Sequence, residues 1–403
     1  VTHRTAAPLA AAALLALSLA VLTAVCVTAR HSMADLLVYR AEGAAVTGGR
    51  DLYGFTVTRW ELPATYPPFA ALLFVPTAWL PASLAKALFL AGNTALLALL
   101  VHLSLRLPYG RSRTHGPAVL LAATAAALWL EPVFQTVLFG QINLLLACLV
   151  LWDLQRPDGA RTKGLAVGVA AGIKLTPAVF AVHLLLTGRV RAGLVALAGF
   201  AGTVAAGACV LPSATWEFFT LRIFETARVG KPWIVDNQSL QGLVARLAHT
   251  AEPGALWLLP AALLAVAGLA LARRVHVTHG REAWAVMVTA FTALLVSPIS
   301  WSHHWVWCVP LLVLLAVERT RTGAGRGPVL LLAAVFSART LWLVPKQGDG
   351  DLRLEWWMQP LASPYALVAL ALLLCTAAGG YSLSLSGAAS GWAVSRSWES
   401  TMR

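Results

Sequence analysis

The chain has 403 residues, of which 59% are hydrophobic and 12% charged, with a mean hydropathy of +0.73. Soluble domains carry roughly 25% charged residues, so this composition excludes an ordinary water-soluble globular domain and describes an integral membrane protein. The formal net charge of +13 does not point to nucleic acid, because the lysines and arginines fall in short clusters between apolar runs, the pattern of membrane topology.

Apolar runs occur at 8–29, 84–105, 117–130, 136–152, 164–186, 192–211, 255–272, 283–296, 306–317, 329–344 and 364–378. The first is too long for a typical signal-peptide core and shows no small-residue cleavage site, which predicts an uncleaved first span. Residues 69–80 predict an interfacial or re-entrant helix, bounded by Pro67-Pro68 and by Pro81. The five cysteines, Cys26, Cys148, Cys209, Cys308 and Cys375, lie in or beside apolar runs and form no CxxC pair, disulfide framework or zinc pattern.

Five basic clusters set the expected topology: Arg106, Arg111 and Arg113; Arg156, Arg161 and Lys163; Arg189 and Arg191; Arg273, Arg274 and Arg281; Arg319, Arg321 and Arg326. With these in the cytoplasm, both termini are cytoplasmic and the segments 30–81, 212–254, 297–305 and 345–363 lie outside. Only one apolar run, 164–186, separates two clusters that both belong inside. Its glycines, Lys174 and Pro177 predict two half-helices broken near 174–177, which restores the parity. Broken backbone at membrane depth is tolerated where it is buried in protein or lines a cavity, so a cavity is expected near Lys174. The expected architecture is an all-α polytopic membrane protein, one domain over 1–403, with about 11–12 transmembrane helices.

Chemistry-bearing residues gather in the outer segments. Asp35 follows the first span directly and shares a helical face with Tyr39 and Glu42. It reads either as a general base for a substrate hydroxyl or as an ordinary helix cap. Lys174, inside an apolar run, reads either as a phosphate partner or as a snorkelling side chain. The run Ser297-Pro-Ile-Ser-Trp-Ser-His-His-Trp305 offers His303 and His304, which as neighbours point to different faces and so make a shared metal site improbable. Trp301 suits either an interfacial anchor or a sugar-stacking platform. In the loop 212–254, Arg228, Lys231, Asn237 and Gln238 could serve an anion and sugar hydroxyls, or could simply be solvated. Tyr66 sits in the turn Thr65-Tyr-Pro-Pro68. The absence of a usefully placed GxGxxG, P-loop, HExxH or GxSxG argues against a nucleotide-driven enzyme or a hydrolase of those types.

Taken in order, Asp35-Leu-Leu-Val-Tyr39, Gly49-Arg-Asp-Leu-Tyr53, Thr65-Tyr-Pro-Pro-Phe69, Gly140-Gln-Ile-Asn143, Gly172-Ile-Lys-Leu-Thr-Pro177, Asn237-Gln-Ser-Leu240 and Ser297 to Trp305 resemble glycosyltransferase family 87, membrane mannosyltransferases of the GT-C superfamily. The resemblance spans roughly 35–345. It implies a GT-C fold in the plasma membrane with an extracytoplasmic active site and a polyprenyl-phosphate mannose donor. It also implies a lipid or cell-envelope glycan acceptor, an α-1,2 linkage formed with inversion, and neither cofactor nor metal. Asp35 matches the family's outer-loop aspartate and takes the general-base role, while His303 or His304 matches its late histidine. On that basis Lys174, Arg228 and Lys231 are candidates for the donor phosphate, and Tyr39, Tyr66, Asn237, Gln238 and Trp301 for sugar or acceptor. Two rival readings remain: a related transferase for arabinose or glucose, and a lipid or solute transporter without catalysis.

Overall fold

With no water to satisfy peptide N–H and C=O groups, a membrane chain closes its hydrogen bonds within helices, and the computed structural model follows that rule. It describes residues 2–28, 33–108 and 116–379. Arg30, Arg111, Arg113 and the Ser/Gly-rich stretch 382–391 lie outside the described residues. The helices are α1 (Thr2–Thr28), α2 (Ala34–Thr47), α3 (Pro68–Trp79), α4 (Ala82–Arg106), α5 (Pro117–Ala127), α6 (Glu131–Phe139), α7 (Asn143–Leu154), α8 (Leu165–Ile173) and α9 (Val179–Leu186). They continue with α10 (Val190–Val210), α11 (Pro212–Thr220), α12 (Leu240–Leu247), α13 (Ala255–His279), α14 (Glu282–Val296), α15 (Cys308–Thr322), α16 (Gly327–Ser337), α17 (Gln359–Ala362) and α18 (Pro364–Ala377). Between α2 and α3, β1 (Thr56–Val57) and β2 (Leu62–Pro63) form a small antiparallel hairpin.

Four helices, α1 from Ala7, α4, α10 and α13, are long and apolar enough to cross a membrane. The bent pair α5–α6 (76°) and the bent segment ending in α18 (91°) raise that to six, and five shorter apolar helices accompany them. The chain is therefore a multi-pass helical membrane protein. Its surface agrees: α13 leaves Leu258, Leu259, Leu263 and Val266 more than half exposed, which is a lipid-facing wall rather than a water-facing one. By contrast α14 is buried at every residue from 283 to 295, as an all-round apolar helix requires. It forms the centre of the packing.

Several boundaries differ from the sequence expectation, three of them most. The run 136–152 is not one helix; Gly140, with φ +69°, ends α6 and the chain turns through Gln141 and Ile142 into α7. The run 329–344 stops at Ser337, where Arg339 adopts a left-handed backbone. The run 255–272 extends a further two turns, to His279. The expected break in 164–186 is present: α8 ends at Ile173, Lys174 is extended (φ −148°, ψ 130°), and a 3-10 turn at Thr176–Ala178 leads into α9.

Ahead of that break, glycine sets how α8 packs. Gly164, Gly168 and Gly172 recur every four residues along one face of α8, which packs along α10. A β-carbon at Gly164 or Gly168 would overlap the carbonyl oxygen of Ala192 or Ala196, and one at Gly172 would overlap Thr203 Oγ1. The two backbones touch, as small residues spaced by four permit. Gly168→Leu is expected to cost at least the 1–3 kcal/mol typical of overpacking, read as a drop in Tm of the purified protein by several degrees.

Candidate active site

The start of α2 carries Asp35 in its first helical turn. Met33, in a left-handed backbone conformation (φ 50°), occupies the N-cap, and no side chain caps the helix. Asp35 therefore does not act as the cap. Its half-buried carboxylate instead lies close enough to the Gln141 side chain for that polar group to favour its charged form. Gln141 sits in the tight turn between α6 and α7, which approaches α2 closely enough that a β-carbon on Gly140 would lie 2.9 Å from Leu36 Cβ and 3.3 Å from Met33 Cβ. Glycine is needed there twice, for the positive φ and for the contact. Gly140→Ala is accordingly expected to lower transfer activity by at least an order of magnitude, by moving Gln141 off Asp35, with misplacement of about 1 Å being enough. An activity assay on membranes matched for protein content checks it.

Gln141 also holds two tyrosines. Tyr39 OH and Tyr66 OH each lie 3.0 Å from Gln141 Oε1, donating to it, and the two hydroxyls are 3.1 Å apart. With Oε1 occupied by phenols, the amide nitrogen is the group that faces Asp35. Tyr39 is locked by stacking on Phe74, ring centroids 4.2 Å apart.

On the far side of Tyr66 stands Lys174, its Nζ 5.2 Å from the ring centroid. The ammonium donates to Asn143 Oδ1 (3.1 Å) and to His304 Nε2 (3.0 Å). Because lysine has donors only, His304 Nε2 is the acceptor and its proton resides on Nδ1. Asn143 donates in turn to the carbonyl of His303 (2.9 Å), closing a ring of contacts from His303 through Asn143 and Lys174 to His304. The two histidines thereby part company. His304 is half-exposed beside Lys174, whereas the His303 ring is buried edge-on to Phe139 with Nε2 unpartnered. Burial first, and then the Lys174 charge, hold both imidazoles well below the ordinary histidine value, so both are neutral.

A cavity of about 50 Å³ opens at this ring. Asn143, Lys174 and His304 form its polar end, and Leu146, Ala147, Phe180, Leu294 and Trp307 are among its apolar walls. Among the described residues, Lys174 is the only lysine or arginine lining it. For Asp35, burial raises the carboxyl to about 6, with Gln141 and Lys174 pulling the other way. The arrangement joins a carboxylate poised near neutrality to a cation, through a fixed tyrosine–glutamine bridge.

Other expected site residues lie elsewhere. Arg228 donates to the Tyr53 carbonyl (3.0 Å), and exposed Lys231 pairs with Asp349 (2.7 Å). Neither bonds to the Lys174 ring, so the expected clamp of several cations reduces there to one. Asn237 and Gln238 are completely buried. Asn237 Oδ1 accepts from the backbone of Ser239 and Ser300, and its Nδ2 donates to the carbonyls of Pro232 and Pro298. Gln238 binds the carbonyls of Val235 and Ala362 and the Tyr365 N–H. Asn237 thereby ties the loop 297–305 to the segment 232–239, and Gln238 ties that segment to the 362–365 turn, so in this structure the polar atoms of both side chains are engaged within the protein. Trp301 pairs with Asn237 through a backbone bridge and lays its ring against Gly230, whose added β-carbon would sit 2.9 Å from it. Among the described residues no group of three or more His, Cys, Asp or Glu is arranged to hold a metal ion.

Gln141 and Asn143 are site residues that the sequence alone does not single out; the signal that marks them is the polar break Gly140-Gln-Ile-Asn143 within the run 136–152.

Comparison with known proteins gives the class: the chain is a membrane glycosyltransferase. The sequence profile of Glycosyltransferase family 87 matches residues 64–298, and the chain belongs to that family. The match takes in Tyr66, Gln141, Asn143 and Lys174; Asp35, His303 and His304 flank it. The chain is 35% identical over 359 residues (84% of this chain, 83% of the relative) to the polyprenol-phosphate-mannose-dependent alpha-(1-2)-phosphatidylinositol mannoside mannosyltransferase of Mycobacterium tuberculosis (strain ATCC 25618 / H37Rv). A Mycolicibacterium smegmatis protein of the same description is 34% identical over 84% of this chain and 82% of its own length. A polyprenol-phosphate-mannose-dependent alpha-(1-2)-phosphatidylinositol pentamannoside mannosyltransferase of Mycobacterium tuberculosis (strain CDC 1551 / Oshkosh) is 37% identical over 72% of this chain and 68% of its own. No solved structure matches the chain significantly.

Proposed function

We propose that this enzyme is an inverting hexosyltransferase that moves mannose from polyprenyl-phosphate mannose to a hydroxyl of a phosphatidylinositol mannoside or related glycolipid, forming an α-1,2 linkage at the extracytoplasmic face of the plasma membrane. The descriptions of its relatives supply donor, acceptor and linkage. The arginine clusters between apolar runs support the orientation.

The residues support a division of labour. Asp35 accepts the proton of the acceptor hydroxyl as that oxygen attacks the anomeric carbon. The bond from that carbon to the phosphate oxygen breaks, and its electron pair leaves with the phosphate. A phosphate needs no strong general acid, but its growing charge needs donors, which Lys174 supplies with His304 and Asn143 beside it. The neutral, Nδ1-protonated His304 can donate a hydrogen bond and is too weak a base to compete with Asp35 for that role. The cavity walls next to the ammonium are apolar and suit the first isoprene units of the carrier.

One observation carries this reading: a carboxylate and a lone cavity ammonium held on either side of the same Tyr66–Gln141 bridge. Membranes with and without the enzyme, supplied with radiolabelled polyprenyl-phosphate mannose, test it. Label in lipid-extractable glycan that depends on the enzyme is expected. Failure with mannose and success with the arabinose or glucose donor would overturn the sugar; failure with all three would overturn the transferase reading of the site.

A further inference from the structure

Glu131, in the first turn of α6, is completely buried, and both its oxygens are taken by hydroxyls. Ser302 Oγ donates to Oε1 at 2.8 Å and Tyr365 OH to Oε2 at 2.7 Å. A hydrophobic side chain would fill such a site at lower electrostatic cost. What the carboxylate adds is an anchor of fixed geometry, and its location says for what.

Ser302 immediately precedes the two histidines. The next two residues are held from the same direction: Thr136 Oγ1 of α6 donates to the His303 carbonyl (3.0 Å), as does Asn143 at the start of α7, and Asn143 also receives Lys174, which holds His304. One rail, α6 with the turn that follows, therefore grips Ser302 and His303 directly and His304 through Lys174. The far end of the same rail carries Gln141, which receives Tyr39 and Tyr66 and acts electrostatically on Asp35. We propose that Glu131 is a positioning residue for transfer: through Ser302 it fixes the His303–His304 backbone, and with it the Lys174–His304 pair, relative to Asp35. The inference rests on the reading that this pair meets the donor phosphate.

The consequence is kinetic. A loosened clamp still touches the phosphate in the ground state but misses the place where its charge grows, so kcat falls while donor KM holds. The test measures kcat, donor KM and Tm for purified wild type, Glu131→Gln, Ser302→Ala, Tyr365→Phe and Lys174→Ala with polyprenyl-phosphate mannose. Ser302→Ala is expected to lower kcat about 10- to 100-fold, the scale of a displacement near 1 Å, with a Tm loss no larger than that of Tyr365→Phe and donor KM within about threefold. Glu131→Gln keeps the size and one acceptor, and its kcat is expected between that of Ser302→Ala and wild type. Tyr365→Phe removes the hydroxyl remote from the histidines, so it lowers Tm and leaves kcat of the folded enzyme within about threefold. Wild-type kcat in Ser302→Ala, or kcat losses in Ser302→Ala and Tyr365→Phe that merely track their Tm losses, would overturn the positioning role. Wild-type donor kinetics in Lys174→Ala would overturn the donor-phosphate reading itself, and this inference with it.

Discussion

Asp35→Asn is expected to reduce transfer by roughly 10²–10⁴-fold, the range attributed to a positioned general base, while leaving Tm and membrane insertion unchanged. Asparagine has the size of aspartate and keeps an oxygen for the Gln141 amide, so the network around Tyr39 and Tyr66 stays intact and only the proton acceptor is lost. Near-normal transfer by the variant in vesicles would remove Asp35 from the reaction. The wild type carries a second signature. A base works only when deprotonated, and burial has raised this carboxyl to about 6. The rate should therefore be flat above about pH 7 and fall tenfold per unit below about pH 5, bending near the raised value rather than near the ordinary carboxylate value of about 4. In Asp35→Asn that limb should disappear.

Lys174→Ala is expected to lower kcat/KM for the donor by roughly 10²–10³-fold, the loss typical of removing one preorganised donor from a developing oxyanion. The change should fall far more on donor than on acceptor kinetics, because the ammonium lines the cavity and the acceptor hydroxyl is assigned to Asp35. Lys174→Arg should rescue little. Its planar fork cannot reproduce a point charge held between Asn143 Oδ1 and His304 Nε2. An unchanged donor KM and kcat in Lys174→Ala would count against the phosphate role. A coupled effect separates the two sites from general damage: Lys174 pulls the Asp35 carboxyl down. Removing that cation raises the carboxyl further, so the acid limb of the residual activity should move to higher pH.

The parts of this site that were legible in the sequence are those where a polar residue contradicts its surroundings. Lys174 stood out in an apolar run, and the glycines and Pro177 around it announced a broken helix, which the structure has at that residue. Asp35 stood out by following the first span directly. The pair His303-His304 was legible as a site element, but its division was not. Which ring meets Lys174 depends on a carbonyl gripped by Thr136 and Asn143, and such tertiary contacts leave no local signal. For the same reason Asn237-Gln238 was ambiguous: a dense polar run looks alike whether it faces a sugar or ties a buried loop. The split of 136–152 was lost because Gly140 and Gln141 are too few to interrupt a hydropathy average. Yet those two residues turn the chain toward Asp35.

The glycine face of α8 has one more effect. With backbone pressed to backbone, α8 cannot slide along α10 by less than a full four-residue step without a carbonyl meeting a side chain. Its register is discrete, and Lys174 is the first residue beyond it. The height of the cation along α10 is therefore quantised by a sequence repeat that never touches substrate. Within this fold, a change in how deep the donor phosphate sits would require a change in that repeat, even if every residue around the phosphate stayed the same.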